Sequence, residues 1–276
     1  MVQKNYLLLL LLISTSLLVF SCQDSTNSLN EQPPQLPPAE SMDMNFSVFD
    51  KDTDAGSSGD ANLTAENESY THFLNATFRA MIVRGVVNSS LAIPKTLLNA
   101  AENIEPELSD DGEWTWSYSK DANGNNFEAE LIATTDGNGQ VIWQMYVTSS
   151  ALDIDNELLF EGEVLTDGSS GNWTYFALLG DEAGSEISSV IWTVENEDQV
   201  DLRLEVLTDR NGNLGDYIEY SFDSPVKLAT YYNAGDNQTT EIEWNSETFE
   251  GYLVAPNYNN GEQACWNNDF QNVECG

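Results

Sequence analysis

The chain of 276 residues is long enough for one large domain with a sizeable buried core, and an apolar content of 41% with 11% aromatics says that most of it folds. Against this, 46 Asp plus Glu face only 9 Lys plus Arg, a net charge of −37, which repels phosphate backbones and anionic head groups and so disfavours nucleic-acid binding and electrostatic membrane docking. The single histidine, His72, excludes His-rich metal sites and any centre that needs two imidazoles.

The chain opens on a short basic start, Lys4, followed by a mainly apolar run without charges over residues 6–20. At ~1.5 Å per residue that run spans about 22 Å, short of a hydrocarbon core of ~30 Å, which favours a secretory signal over a transmembrane anchor. It closes on Val19-Phe20-Ser21-Cys22. An apolar residue three places before a cysteine, with a small residue directly before it, resembles the lipobox of bacterial lipoproteins. The resemblance implies a signal peptide over residues 1–21, cleavage after Ser21, and a lipid on Cys22 that ties the protein to a membrane. Gln23-Asp24 after the cysteine is similar to an outer-membrane or surface address in a Gram-negative cell envelope.

Residues 22–62 are rich in Ser, Asn, Asp, Gln and Pro, with Pro33-Pro34, Pro37-Pro38 and an acidic run from Asp50 to Asp60. Such a composition leaves little to bury and predicts a disordered acidic tether of roughly 35 Å root-mean-square reach. The folded domain is expected over residues 63–276.

Charge divides that domain. Residues 64–104 balance to zero, whereas residues 105–276 hold 35 acidic and 4 basic residues, a balance of −31. The neutral segment has helical period, with Tyr70, Phe73, Leu74, Thr77, Phe78, Met81, Ile82, Gly85 and Val86 on one broad stripe. Thr64 is the expected cap, Asn88-Ser89-Ser90 the expected end, and residues 90–103 the expected second, shorter helix with Pro94 in its first turn. His72 falls on the polar side, a solvated histidine in the plainest reading.

From Trp114 the period switches to two. Eleven strands are predicted: 113–119, 127–135, 140–149, 157–166, 172–179, 187–195, 200–208, 216–223, 226–232, 239–245 and 249–255. Alternation is clear in Val141/Trp143/Met145/Val147 and in Val200/Leu202/Leu204/Val206. Turns such as Asp121-Ala122-Asn123-Gly124 and Asp136-Gly137-Asn138-Gly139 supply the positive φ of tight hairpins. No connection is long enough for a crossover helix, so the strands pair antiparallel in sequence order as a meander. Gly112-Glu-Trp-Thr-Trp and Gly171-Asn-Trp-Thr-Tyr form a weak repeat, too irregular for a propeller.

The predicted fold is therefore mainly β, an antiparallel meander of about eleven strands in a curved sheet or an incomplete up-and-down barrel, preceded by one or two helices. An odd count would leave the first and last strands of a closed barrel parallel, which favours an incomplete barrel whose mouth or edge the helices cover. In that form it resembles the periplasmic lipoprotein carriers, which wrap a curved sheet around a helical lid to hold acyl chains. A ligand cavity, a helix plug and an open sheet all remain compatible with the pattern.

Cys265 and Cys275 are the two thiols left once Cys22 is lipidated, and an exported protein meets an oxidising compartment, so a disulfide between them is the favoured reading. Asp209-x-Asn211-x-Asn213-x-x-Asp216 alternates oxygen ligands as a calcium loop does, but lacks the glycine and the closing glutamate of an EF-hand and joins two strands, as a hairpin turn would. Asp153-x-Asp155-x-Glu157 and Glu195-x-Glu197-Asp198-x-x-Asp201 read as solvated strand ends with calcium as the alternative. No catalytic motif and no cofactor motif is found. Seven tryptophans could form a sugar-stacking platform, but their place on the alternating strand faces favours the core.

These features point to a lipid-anchored exported binding protein, with an apolar or amphipathic ligand held inside the curved sheet as the leading expectation. A surface module that binds glycan or protein through exposed aromatics and a structural envelope lipoprotein are the alternatives. Partners are then the membrane through Cys22 and a lipid, glycan or protein ligand, with no nucleic acid.

Overall fold

The computed structural model describes residues 32–50, 68–209 and 212–276. The signal segment, Cys22, Thr64 and most of the expected tether lie outside the described residues.

Fourteen strands form one antiparallel sheet in strict sequence order. They are β1 Glu107–Leu108, β2 Trp114–Ala122, β3 Asn125–Thr135, β4 Gln140–Ser149, β5 Ile154–Leu165, β6 Ser170–Phe176 and β7 Glu186–Asn196, followed by β8 Gln199–Val206, β9 Tyr217–Asp223, β10 Val226–Asn233, β11 Gln238–Asn245, β12 Gly251–Val254, β13 Ala264–Trp266 and β14 Asn272–Val273. All eleven expected strands are present as β2 to β12. The count rises to fourteen through β1, β13 and β14, which are two or three residues long and too short to carry a period of their own. Asn123 (φ 49°) and Gly124 (φ 79°) make the two-residue turn between β2 and β3, both in the left-handed region that a type I′ hairpin requires.

One face of the sheet is predominantly apolar, with Ser149, Ser188 and Lys227 as buried polar exceptions. Along β4 the buried residues are Val141, Trp143, Met145 and Val147, and along β8 Val200, Leu202, Leu204 and Val206. Gly251 shows how the wide rings are admitted. A Cβ there would lie 2.5 Å from the ring of Trp266 and 2.2 Å from the Glu243 carbonyl oxygen, so only glycine lets the indole lie flat across β12.

The sheet does not close, because β1 and β14 are not paired with each other. The gap is bridged by one helix, α1 Thr71–Ala101. On the side of the first strands, the Tyr118 hydroxyl donates to the Leu97 carbonyl at 2.7 Å. On the side of the last strands, Phe73 packs on Trp266 and Phe270, and Asn272 caps the helix start. Its side chain accepts from the His72 backbone N–H at 3.0 Å and donates to the Thr71 hydroxyl at 2.9 Å.

Two expectations are corrected here. The first is the pair of helices, which is one continuous helix of about 46 Å running through Asn88-Ser89-Ser90 and Pro94. Val87, Leu91 and Pro94 are buried on either side of the polar triplet, so burial against the sheet outweighs its weak helix propensity. The Ser89 hydroxyl returns to the Val86 carbonyl at 2.7 Å. The second concerns residues 32–50, expected within the tether. Pro33–Gly276 is one compact unit, and Met42, Met44, Phe46, Val48 and Phe49 are buried in the core. The apolar residues alternate through Met-Asp-Met-Asn-Phe-Ser-Val, so composition averaged over forty residues conceals a segment that can pack. Phe46 meets Tyr220 and Trp244, and Phe49 meets Phe73 and Trp244. Asp43 and Asp50 pair with Lys95 and Arg84 of α1. This strap and the inner face of α1 share one hydrophobic cluster with the sheet's buried face.

Candidate functional site

The phase of α1 separates two kinds of residue. Its buried face carries Phe73, Ala76, Thr77, Ala80, Val83, Val87 and Leu91 at intervals of one, three or four residues. Its outward face carries Phe78, Met81 and Ile82, which are 64%, 42% and 48% exposed. The sequence stripe had included these three larger residues and had left out the alanines and valines that pack.

Beside this outward face, between α1 and the ends of several strands, run three adjoining depressions. The first, about 180 Å³, lies between Phe78, Arg79 and Ile82 and the β10–β11 hairpin, with Tyr231, Asp236 and Asn257 in its walls. The second, about 340 Å³, shares Ile82 and continues past Gly85, Val86 and Ser89 toward Val206 and Asn213. The third, about 280 Å³, shares Ser89, Ser90 and Ile187 with the second, and ends among Ile93, Leu159, Tyr175 and Leu179. Together they make an open groove along most of α1.

Its electrostatics differ from those of the rest of the protein. Within 71–101 there are three basic residues, Arg79, Arg84 and Lys95, and no acidic one. Arg84 and Lys95 are neutralised by Asp50 and Asp43 of the strap. Arg79 has no ion pair among the described residues. Its Nη1 donates to the Asn75 carbonyl and side chain at 3.1 and 3.0 Å, its Nη2 donates to Asn257 at 2.7 Å, and the guanidinium lies 5.6 Å from the Tyr258 ring centre. Among the described residues it is the only basic side chain lining the three depressions, and Asp236 is the only acidic one. At the far end, the buried Tyr175 hydroxyl has no hydrogen-bond partner among the described residues, and burial raises its pKa well above the ordinary tyrosine value.

His72 is not free in solvent as expected. Its Nδ1 lies 2.7 Å from the Tyr258 hydroxyl with the rings edge to face, and desolvation lowers its pKa below the usual 6.5. The pair braces the first turn of α1 against the loop before β13.

The acidic constellations do not converge. Among the described residues no three His, Cys, Asp or Glu side chains form a group able to hold a metal ion. Asp216 is buried and accepts from the Tyr231 hydroxyl and, at 2.8 Å, from the Ala234 backbone N–H, so it fastens one hairpin to another. Asp209 accepts from the Gly212 backbone N–H at 2.6 Å, as in a turn.

Trp116, Trp143, Trp173, Trp192, Trp244 and Trp266 are buried and Trp114 is half-buried, so the tryptophans pack the core rather than form a platform. On the outer face a pair of half-buried tyrosines offers some aromatic surface. Tyr217 and Tyr232 stack at 4.9 Å, with the Arg203 guanidinium 3.8 Å from the Tyr217 ring centre and ion-paired to Glu219. Beside them lies a shallow hollow of about 370 Å³ with Ile191, Arg203 and Thr230 in its wall. Cys265 and Cys275 form a disulfide with a Cα–Cα separation of 5.4 Å, which holds the tail that carries Asn272.

No helix among the described residues is long and apolar enough to cross a membrane. Compared with protein-family models and with curated proteins, the chain matches none.

Proposed function

We propose that the protein is an exported binding protein, anchored through a lipid on Cys22 to the outer membrane of a Gram-negative envelope, and that its ligand is apolar or amphipathic and lies in the groove beside α1. The observation that carries this reading is the groove itself: a partly apolar channel, flanked by Phe78, Ile82, Val86 and Ile93, in a chain whose net charge is −37. Large apolar residues exposed next to a concave surface favour an apolar partner. The strap and six buried tryptophans lie inside the curved sheet, where the sequence suggested a ligand, which favours the mouth as the location.

Native mass spectrometry of the protein purified from its own envelope tests the reading. A lipid-sized mass held non-covalently and lost on denaturation is expected, and Ile82→Glu should lose it. No such adduct, together with no binding of a fluorescent fatty acid to the full chain carrying Cys22→Ser, would remove the reading. Anchoring has its own test. Cys22→Ser should move the protein to the aqueous phase in detergent partitioning, and retention with the membrane would refute the lipid.

The stacked Tyr217–Tyr232 pair beside Arg203 favours a second reading, a surface module for glycan or protein. Glycan-array binding that Tyr217→Ala abolishes and Ile82→Glu leaves intact would put that reading first.

A further inference from the structure

Resting on the groove as the binding site, we infer that its ligand is a zwitterionic amphiphile with a single alkyl chain, a phosphate seated on Arg79, an ammonium facing Asp236, and the chain laid along α1 toward Ile93. Arg79 and Asp236 share the first depression and, among the described residues, are the only charged side chains lining any of the three. A guanidinium has five donors. Three are used on Asn75 and Asn257, which leaves one hydrogen on Nη2 and the Nε–H for a further acceptor. The asparagines also hold the fork in place, so an oxyanion meets an ordered donor pair.

The charge of the whole molecule selects among head groups. An anion such as a fatty-acid carboxylate would gain Arg79 but approach against the field of a −37 chain and sit beside Asp236. A simple cation would be drawn by that field and then meet Arg79. A zwitterion carries no net charge into the field and satisfies both side chains at once. No other charged side chain among the described residues lines the groove. Phe78, Ile82 and Val86 lead into Ile93, Leu159 and Leu179, and the Ser89 hydroxyl along the way is turned back onto the Val86 carbonyl. From Arg79 to Ile93 the helix rises about 21 Å, the length of an extended chain of roughly sixteen carbons. The depressions succeed one another in single file, which suits one chain. The Tyr175 hydroxyl at the far end is sealed from solvent, so the polar head belongs at the Arg79 end.

Displacement of a fluorescent fatty acid from the full chain carrying Cys22→Ser, at fixed ionic strength, tests this with three competitors of equal chain length: lysophosphatidylethanolamine, lysophosphatidylglycerol and palmitate. The expected result is roughly tenfold tighter binding of the ethanolamine lipid than of the other two. Arg79→Gln and Asp236→Asn should each erase most of that preference, and Ile82→Glu should weaken all three competitors together. Thermal midpoints and circular dichroism confirm that each variant is folded, and Asp236, on an exposed turn, can be altered without touching α1. Equal affinities for the three, or a preference that survives both head-group substitutions, would overturn the zwitterion while leaving the groove as a binding site. Failure of every amphiphile to bind would remove the groove reading itself. A sedimentation dimer broken by Ile82→Glu, with no amphiphile bound, would overturn both in favour of contact between two copies.

Discussion

On the inward side of α1, between residues 76 and 87, the packed residues are Ala76, Thr77, Ala80, Val83 and Val87. On the outward side of the same turns stand Phe78, Met81 and Ile82. A surface helix ordinarily shows the reverse, bulk toward the core and polarity toward water. Small residues let α1 approach the strap and the sheet closely, because Phe46, Phe49, Trp244 and Trp266 already fill the space beneath it. Large residues on the other face have no packing to do in the described chain. Stability is therefore read from one side of this helix, and the proposed recognition falls to the other.

The strongest way to break the comparison is to remove the one large inward ring. Phe73 has no exposed surface and touches Phe49, Trp266 and Phe270. Phe73→Ala should destabilise the domain by about 3–5 kcal/mol through lost burial and the cavity left behind. Denaturant unfolding followed by tryptophan fluorescence measures it. A loss below about 1 kcal/mol would mean that α1 is not part of the cooperative core.

The converse substitution tests close approach. Ala80 is 1% exposed, and Ala80→Leu adds volume where the helix rests on its neighbours. Overpacking of this kind should cost about 1–3 kcal/mol, although leucine is as good a helix former as most. An unchanged or higher denaturation midpoint would show room beneath α1 that the close packing does not allow.

The helix phase also marks where sequence reasoning stopped. Strands β2 to β12 were legible because each is long enough to alternate and most are bounded by Asp, Asn and Gly turns. β1, β13 and β14 were not, since two or three residues have no period and form only because neighbours present an edge. The helical period of 70–86 was visible, but weighting residues by hydrophobic size mixed the two faces, setting the exposed Phe78, Met81 and Ile82 beside the buried Phe73 and Thr77. Only the spacing of Ala76, Ala80, Val83 and Val87 could have corrected it. Met42 to Val48 alternated in plain view inside a polar stretch. Cys265 and Cys275 were legible because arithmetic on three cysteines left one pair. The groove was not, because its far wall comes from the β4–β5, β6–β7, β8–β9 and β10–β11 connections, which only the folded sheet brings beside Arg79 and Ile93.

A smaller effect sharpens the anchoring of α1 at its start. His72 sits between the capping Asn272 and Tyr258, with its pKa lowered by burial. A base whose folded pKa lies below its unfolded value of 6.5 binds more protons when unfolded, so its contribution is intact above pH 6.5 and is lost as pH falls toward the folded pKa. The ring is only partly buried, so solvent screening keeps the effect modest. The readout is the difference between the wild type and His72→Asn, measured from pH 7.5 down to 5. The wild type should lose slightly more stability than the variant, and parallel curves would show that His72 titrates alike in both states.

The smallest effect on stability is expected where exposure is greatest. Phe78 is 64% exposed, lies on the outward face, and lines the first depression of the groove beside Arg79. Phe78→Ser removes a ring that contributes little to the core, and loses little helix propensity, since phenylalanine and serine rank alike in helices. The unfolding free energy should change by no more than about 0.5 kcal/mol, the range of ordinary surface substitutions. Binding of a fluorescent fatty acid should nevertheless fall by roughly fivefold or more, because the apolar area next to the head-group end has been exchanged for a hydroxyl. The two measurements must separate. If stability falls by as much as for Ala80→Leu, Phe78 is a packing residue and the outward face is part of the core. If neither stability nor binding changes, the bulk on that face serves something other than this groove.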